Sequence, residues 1–252
     1  MSIFDHIRAV PEKDKSAAVK TLFEQSTPDF DFFLLVILSV LMATFGLLEN
    51  STAVVIGSML IAPVLFPLLS LSLSVVMSDY SLIGRSATTL LKAGILGVAS
   101  AFLATLFFGG ADVVTAEILQ RTEPTLLTIS IAIVAGFAVA YTLVKPELSA
   151  TLPGIAVAVA LIPPLATIGV GLAIFNWSIV SGATIFLLIN VVGIIFASML
   201  VFSLMDLYQK RTIAAKTADS ADKAAEKEAE EVQKKADQAE KESEKNNGNK
   251  EV

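Results

Sequence analysis

Six long apolar stretches set the pattern of this chain: Phe32–Leu48, Thr52–Met77, Ala87–Phe108, Leu126–Val144, Leu152–Phe175 and Ser178–Met205. A helix needs roughly 20 apolar residues to cross the hydrocarbon of a bilayer, and these stretches approach or exceed that length. The pattern predicts an all-α integral membrane protein, with about six transmembrane helices in a domain spanning residues 30–208. The second and fifth stretches carry interior prolines, Pro63 and Pro67 in one and Pro163 and Pro164 in the other. Proline removes an amide donor and clashes with the preceding turn, so these two helices are expected to break. In lipid, the carbonyls freed by a break need partners in protein or water.

The broken stretches stand about 100 residues apart. Laying Pro63 on Pro163 sets Leu60–Leu65 over Ala160–Leu165, and the neighbouring stretches fall into register within a few residues. An acidic residue precedes each broken helix, Glu49 in one half and Glu147 in the other. The reading is one three-helix unit used twice, over about residues 30–108 and 125–206. Three is odd, so the second copy enters the membrane from the opposite face, and the halves become inverted repeats. Secondary transporters use paired interrupted helices of this kind to bind substrate near the midplane. In a competing geometry, Thr52–Met77 and Leu152–Phe175 fold back as re-entrant hairpins. Four true spans then remain, and the 78–86 loop moves to the outer side.

The flanks are polar. In the 1–29 arm, Val19, Leu22 and Phe23 fall at helical spacing, which suggests a short amphipathic helix on the membrane surface or against the core. A frayed, solvated arm is the alternative. The tail, 209–252, is built of Ala, Lys, Glu, Asp and Gln, with opposite charges at helical spacing as in Asp219–Lys223 and Glu231–Lys235. Such pairs contribute only about 0.2–0.5 kcal/mol each. Val232 is nearly its one large apolar residue, so a partly helical, solvated segment is expected, disordered at Asn246–Asn249.

Composition and charge narrow the picture. Hydrophobic residues make up 54% of the chain despite the polar tail. The absence of Cys and the single His6 exclude disulfides, iron–sulfur clusters and thiol chemistry and argue against zinc. The net charge of -6 comes partly from the tail, and no basic patch suggests nucleic acid. A secretory signal is not expected, because the first long apolar run begins only near Phe30. With six spans, Arg8, Lys13, Lys15, Lys20, Arg85, Lys145, Lys210 and Arg211 share one side, and Arg121 alone falls on the other. The positive-inside rule places both termini in the cytoplasm. Tyr80, Tyr141 and Tyr208 then lie near cytoplasmic helix ends and Trp177 near an outer one.

Glu49-Asn50-Ser51-Thr52-Ala53-Val54-Val55-Ile56-Gly57-Ser58-Met59-Leu60-Ile61-Ala62-Pro63 resembles a family of prokaryotic hydrophobic membrane proteins catalogued as domain of unknown function 389. Ala43–Leu48, Ala158–Ala166 with Gly169 and Gly171, Asn176-Trp177 and Asn190 fit the same family. The resemblance covers roughly residues 26–202, and its Gly-x-Met-x-x-Ala-Pro core reads Gly57–Pro63 here, with Ser58 where Ala is common. It implies a prokaryotic plasma-membrane protein and a fold, and supplies no substrate. Members often carry a longer soluble domain before the membrane part, where this chain has a short arm.

Candidate chemistry gathers at the breaks. Unwound backbone around Pro63 and Pro67, and around Pro163 and Pro164, offers carbonyls and amides, to which Ser58, Ser70 and Thr167 can add hydroxyls. Kinks needed only for packing are the plainer reading. Asn190 lies deep in the last stretch and is expected to hydrogen-bond a freed carbonyl or to face a substrate. Glu49 and Asn50 begin the first broken helix, as caps with Ser51 or Thr52, or as an outer vestibule for cations. Lys92 either snorkels to the surface or points inward as a counter-ion. No nucleophile–base pair, phosphate loop or metal cluster stands out, so neither an enzyme nor a cofactor is expected. The leading expectation is a transporter or permease-like protein for a small solute or ion. A non-transporting scaffold, homo-oligomeric and partner-recruiting, and an ion channel are the alternatives.

Overall fold

The computed structural model describes residues 10–110, 113–152, 154–155 and 160–248. Among these the secondary structure is helical, without strands. The helices are α1 (Glu12–Gln25), α2 (Phe30–Leu48), α3 (Thr52–Met59), α4 (Leu65–Val76), α5 (Tyr80–Phe108), α6 (Ala116–Leu119), α7 (Leu126–Val144), α8 (Ile162–Ala173), α9 (Trp177–Leu204) and α10 (Arg211–Gly248). Short 3-10 turns occupy Pro146–Thr151 and Leu207–Lys210.

Four helices, α2, α5, α7 and α9, are long and apolar enough to cross a membrane. Much of their large apolar surface faces outward, including Leu91 and Ile95 on α5, Leu126 and Val134 on α7 and Val192 on α9. Apolar exposure on this scale is what a lipid-facing surface requires. A side-chain cap starts each of the four: Asp29 accepts from Phe32 N, Asp79 from Ser81 N and Leu82 N, Thr125 from Thr128 N, and Asn176 from Ile179 N. Each cap satisfies one or two of the amides that a helix start leaves unpaired. The Asp79 cap also corrects a boundary. Helix α5 begins at Tyr80, seven residues before the apolar run at Ala87, because Ser81, Arg85 and Ser86 interrupt the hydropathy but not the backbone hydrogen bonding.

The prolines act differently from the sequence expectation. Helix α3 ends at Met59 and α4 starts at Leu65, so the first interruption is 60–64 and contains Pro63. Pro67 does not interrupt anything; it is the third residue of α4. Pro163 and Pro164 are likewise the second and third residues of α8. Proline in a first turn costs little, since the amide it lacks would have no intrahelical acceptor there. Neither α4 nor α8 has a side-chain cap, and their prolines remove orphan donors instead of covering them. Counted from the helix starts, Pro67 stands where Pro164 does and Ser70 where Thr167 does, a spacing of 97 residues, whereas Pro63 and Pro163 are 100 apart.

Two corners have the same form. Asp79 N donates to Ser74 O (3.1 Å) and Ser78 N to Val75 O (3.0 Å); Asn176 N donates to Gly171 O (2.9 Å) and Phe175 N to Leu172 O (3.2 Å). Both are left-handed helix endings, with φ of 52° at Ser78 and 54° at Phe175, and the next residue caps the following helix. The corner Ser78–Asp79 lies beside Arg211. The corner at Asn50, between α2 and α3, lies instead against Glu117. Helices α3 and α4 therefore lead from a Glu49 end of the molecule to an Asp79 end.

The core is crossed. Leu68, Leu69 and Leu73 of α4 cluster with Val139 and Leu143 of α7 and Val201 and Phe202 of α9. Leu165, Ala166 and Val170 of α8 cluster with Val36 and Val40 of α2 and Ala93 and Ala101 of α5. Glycine makes the closest crossings. A Cβ at Gly136 would lie 2.8 Å from Ile194 Cα, and one at Gly193 would lie 2.9 Å from Ala132 Cβ. Gly193 and Ala197 make a small-residue face on α9, and α7 of the same chain fills it.

Both flanks dock at the Asp79 end. Val19, Leu22 and Phe23 of α1 are fully buried against α4, which selects the core among the sequence alternatives for the arm. The tail forms one helix, α10, whose Ala214 and Ala218 are buried in the same cluster. Its alanines supply what its composition conceals: small side chains let the first turns lie close to α1. His6 and Arg8 lie outside the described residues, as do Asn249 and Ala158.

Candidate functional site

The two interruptions meet the long helices at their middles. Ser39, the central residue of α2, donates from Oγ to Ser58 O at 2.6 Å, where α3 is ending. Asn190, halfway along α9, donates from Nδ2 to Ala160 O at 3.2 Å, just before α8. Ala160 has a φ of 39°, a left-handed conformation that turns its carbonyl away from a helical path. Asn190 thereby occupies the bonding role its depth implied. Ser39 performs the same task and went unnoticed, because a serine inside an apolar helix normally bonds its own preceding turn.

The hydroxyls singled out earlier are internally satisfied. Ser58 Oγ donates to Val55 O (2.6 Å) and Thr167 Oγ1 to Pro163 O (2.9 Å). Ser70 Oγ meets Ser86 Oγ across the α4–α5 contact at 2.9 Å, and Ser74 Oγ donates to Ser70 O (2.7 Å). Ser70 and Thr167 are fully buried, and Pro67, Pro163 and Pro164 are buried too, whereas Pro63 is partly exposed. The starts of α4 and α8 are thus packed by the chain's own side chains in this conformation, while Leu60 and Ile61 of the first interruption are exposed. Two helix starts nonetheless point into the interior, each with a positive dipole end and a hydroxyl one turn inside.

The Glu49 end is organised by a residue that the sequence reading passed over. Glu117 is buried, accepts a hydrogen bond from Thr52 Oγ1 and pairs with Arg121 at 2.8 Å. Asn50 Oδ1 accepts from Glu117 N at 3.1 Å, and Thr115 Oγ1 donates to Leu47 O at 2.6 Å. These bonds tie the loop before α7 to the start of α3. Glu49 is exposed and takes no part in them, and Ser51, although at the cap position of α3, makes no capping bond. The vestibule expected at Glu49 and Asn50 is therefore a latch at Asn50, Thr52 and Glu117. Its signal in the sequence was an i, i+4 Glu117–Arg121 pair in a short helix, which on its own describes most solvated helix faces.

At the Asp79 end, charges fasten the flanks. Arg85 donates a forked pair of bonds to Asp222 of α10 (2.8–3.0 Å) and reaches Ser26 and Thr27 (3.4 and 3.2 Å) at the end of α1. Arg211 pairs with Asp79 at 2.7 Å and Lys210 with Glu12 at 2.6 Å. The Arg211 hydrogen bond, aided by the amides of Leu82 and Ser81, holds the Asp79 carboxyl below the ordinary aspartate value. Lys92 does not face the breaks. It is exposed on α5 and lines a groove of about 490 Å³ with Arg85, Asp222 and Glu226, so the counter-ion role is not where the side chain lies.

Among the described residues no group of three or more His, Cys, Asp or Glu is placed to hold a metal. The class these features define is an all-α protein with several helices long and apolar enough to span a membrane and two shorter apolar helices packed among them. The chain belongs to the family described as "Domain of unknown function (DUF389)", whose profile matches residues 59–196. It is also similar to an uncharacterised protein of the archaeon Methanocaldococcus jannaschii, 33% identical over 172 residues, which are 68% of this chain and 52% of that protein. The chain thus spans about half the length of the curated relative it matches. No solved structure matches it.

Proposed function

We propose that this protein is a transporter or permease-like protein that moves a small solute or ion through the interior between α4 and α8. One observation carries the reading: two 12-residue apolar helices, each with a proline in its first turn and a buried hydroxyl three residues later. The helix lengths favour an inverted repeat, 19, 12 and 29 residues for α2, α4 and α5 against 19, 12 and 28 for α7, α8 and α9. Helix α4 ends at the Asp79 corner, while α8 ends at the Asn176 corner beside the start of α9, where Gly182 lies against Thr122 of the loop that carries Glu117; on this reading the copies run in opposite senses and six segments cross. With the basic residues Arg85, Lys210 and Arg211 at the Asp79 end, that end faces the cytoplasm of a prokaryotic cell, together with both termini. The buried starts of α4 and α8 correspond to a closed state, and opening would move α4 with α7 and α9 relative to α8 with α2 and α5.

The burial of Ser70 and Thr167 also favours a second reading, a membrane scaffold whose breaks are only structural. The chain has no cysteine, so single Ser70→Cys and Thr167→Cys variants separate the two in proteoliposomes. Reaction of both with a membrane-impermeant thiol reagent, from one face and then the other as conditions change, supports transport. Complete protection of both, together with no flux across a panel of labelled ions and metabolites, refutes it in favour of the scaffold.

A further inference from the structure

The groove beside Lys92 is where hydrocarbon should give way to headgroups, a placement that rests on the membrane reading above. Helix α5 has 29 residues. Its far end carries the exposed Phe107 and Phe108, which belong in hydrocarbon. Counting back the roughly 20 residues that cross about 30 Å reaches Thr89. Helix α2 starts at Phe30, directly after Asp29, and its 19 residues give nearly the same thickness. Both markers, Asp29–Phe30 and Thr88–Thr89, line this one groove, with Lys92 one turn deeper and α10 as the polar wall. Two independent helices thus set the boundary at the same level.

The charges of the groove are uneven in a specific way. Arg85 is spent on Asp222, and Asp29 on the cap of α2. That leaves Lys92 and Glu226, on opposite walls, and neither has an ion-pair partner among the described residues. Thr88 is exposed next to Lys92. Farther along α5, Leu91 and Ile95, three and seven residues beyond Thr88, are exposed on the same side of the helix. We propose that this groove is a lipid site for a zwitterionic phosphoethanolamine headgroup. The phosphate sits on Lys92 and Thr88, the primary ammonium on Glu226, and the acyl chains lie along Leu91 and Ile95. A lysine that snorkels to this level meets phosphate oxygens naturally. A carboxylate beyond it selects an ammonium that still has N–H donors over a trimethylated choline, and disfavours a purely anionic headgroup.

The test is native mass spectrometry of the full chain in detergent with defined phosphatidylethanolamine, phosphatidylcholine or phosphatidylglycerol. The expected result is a preference for phosphatidylethanolamine of about tenfold over each of the others, the size of one charge-assisted hydrogen bond. Glu226→Gln should erase the preference over phosphatidylcholine, and Lys92→Ala should weaken all three lipids. Equal binding of the three, a preference for phosphatidylglycerol, or variants that bind as the parent does would overturn the site. So would free phosphoethanolamine competing as strongly as the lipid. A chain that needs no detergent would sink the membrane reading itself, and loss of flux would leave the lipid preference unchanged.

Discussion

Adding one methyl group at Gly169 tests the crossed core most directly. An ideal Cβ there would lie 2.5 Å from Ala101 Cβ, 2.7 Å from Val98 O and 2.9 Å from Phe102 N. All three contacts are shorter than real Cβ atoms tolerate, and two are to backbone, so no side-chain rotation relieves them. Overpacking of this kind costs about 1–3 kcal/mol. Alanine recovers about 0.8–1.0 kcal/mol of helix propensity over glycine. With backbone in the way the upper part of the range applies, and Gly169→Ala should lose about 1–2 kcal/mol net. Gly94 on α5 has nothing within 4 Å of its Cβ. Gly94→Ala should therefore keep the propensity gain and be neutral to stabilising by up to about 1 kcal/mol. The two variants make the same chemical change and should melt roughly 2–12 °C apart at about 2–4 °C per kcal/mol for a chain of this size. Thermal unfolding of detergent-solubilised protein, followed by near-ultraviolet circular dichroism, reads the difference. Ala101→Gly in the Gly169→Ala background removes the shortest contact and should restore part of the loss. A Gly169→Ala protein that melts at or above the parent would refute the packing of α8 on α5 and, with it, the exchanged placement of the half-helices.

Three further outcomes follow from named contacts. Asp222→Asn should lower stability by less than about 1 kcal/mol, because Asp222 is 41% exposed and water screens the pair, while Arg85→Ala also loses Ser26 and Thr27; protease cleavage at the base of α10 should be faster in the arginine variant. Asn190→Leu strips the donor from Ala160 O and should cost about 0.6–2 kcal/mol in the same melting assay, and Asn190→Asp more, since it sets a second acceptor against the carbonyl. The Asp79 pair should be flat in pH from neutrality downward and then fail in acid. Its carboxyl titrates below the ordinary value of 3.8, so its stabilising share is present above that value and lost as pH falls through the lower folded one. Asp79→Asn should flatten that part of the acid limb in a pH series of melting curves.

How much of this was legible is clearest at the helix ends. Helix α7 has the bounds the apolar pattern predicts, and α2 and α9 differ by one or two residues, because their apolar runs stop where their caps stand. The start of α5 was hidden because Arg85 and Ser86 read as loop, although an aspartate cap and a fork to Asp222 hold them helical. The role of Arg85 depends on a residue 137 positions away, and no local pattern carries that information. Glu117 was missed for a related reason. Its importance comes from burial beneath Thr52, and burial of an ion pair in a short connecting helix leaves no periodicity to find.

The prolines show the limit most sharply, because their presence was legible and their meaning was not. A proline inside an apolar run reads as a break, and the pair spaced 100 residues apart invited Pro63 to be laid on Pro163. The same residue has two physical uses: it ends a helix at the residue before it, and it starts one where no cap is available. A half-helix that begins in the apolar interior cannot recruit water or a charged cap for its first amides without a desolvation cost of a few kcal/mol each. Removing those amides is the economical alternative, and it requires proline inside the first turn. Pro67 and Pro164 occupy that place, and the polar residue three positions on, Ser70 or Thr167, then lies on the same side of its helix. Sequence alone could have found this register from Pro-Leu-Leu-Ser and Pro-Leu-Ala-Thr, which agree where Pro63 and Pro163 do not. The spacing from Pro67 to Pro164 is 97, the same as between the corners at Ser78 and Phe175, and this common spacing is what the proposed repeat requires of helix, corner and cap together.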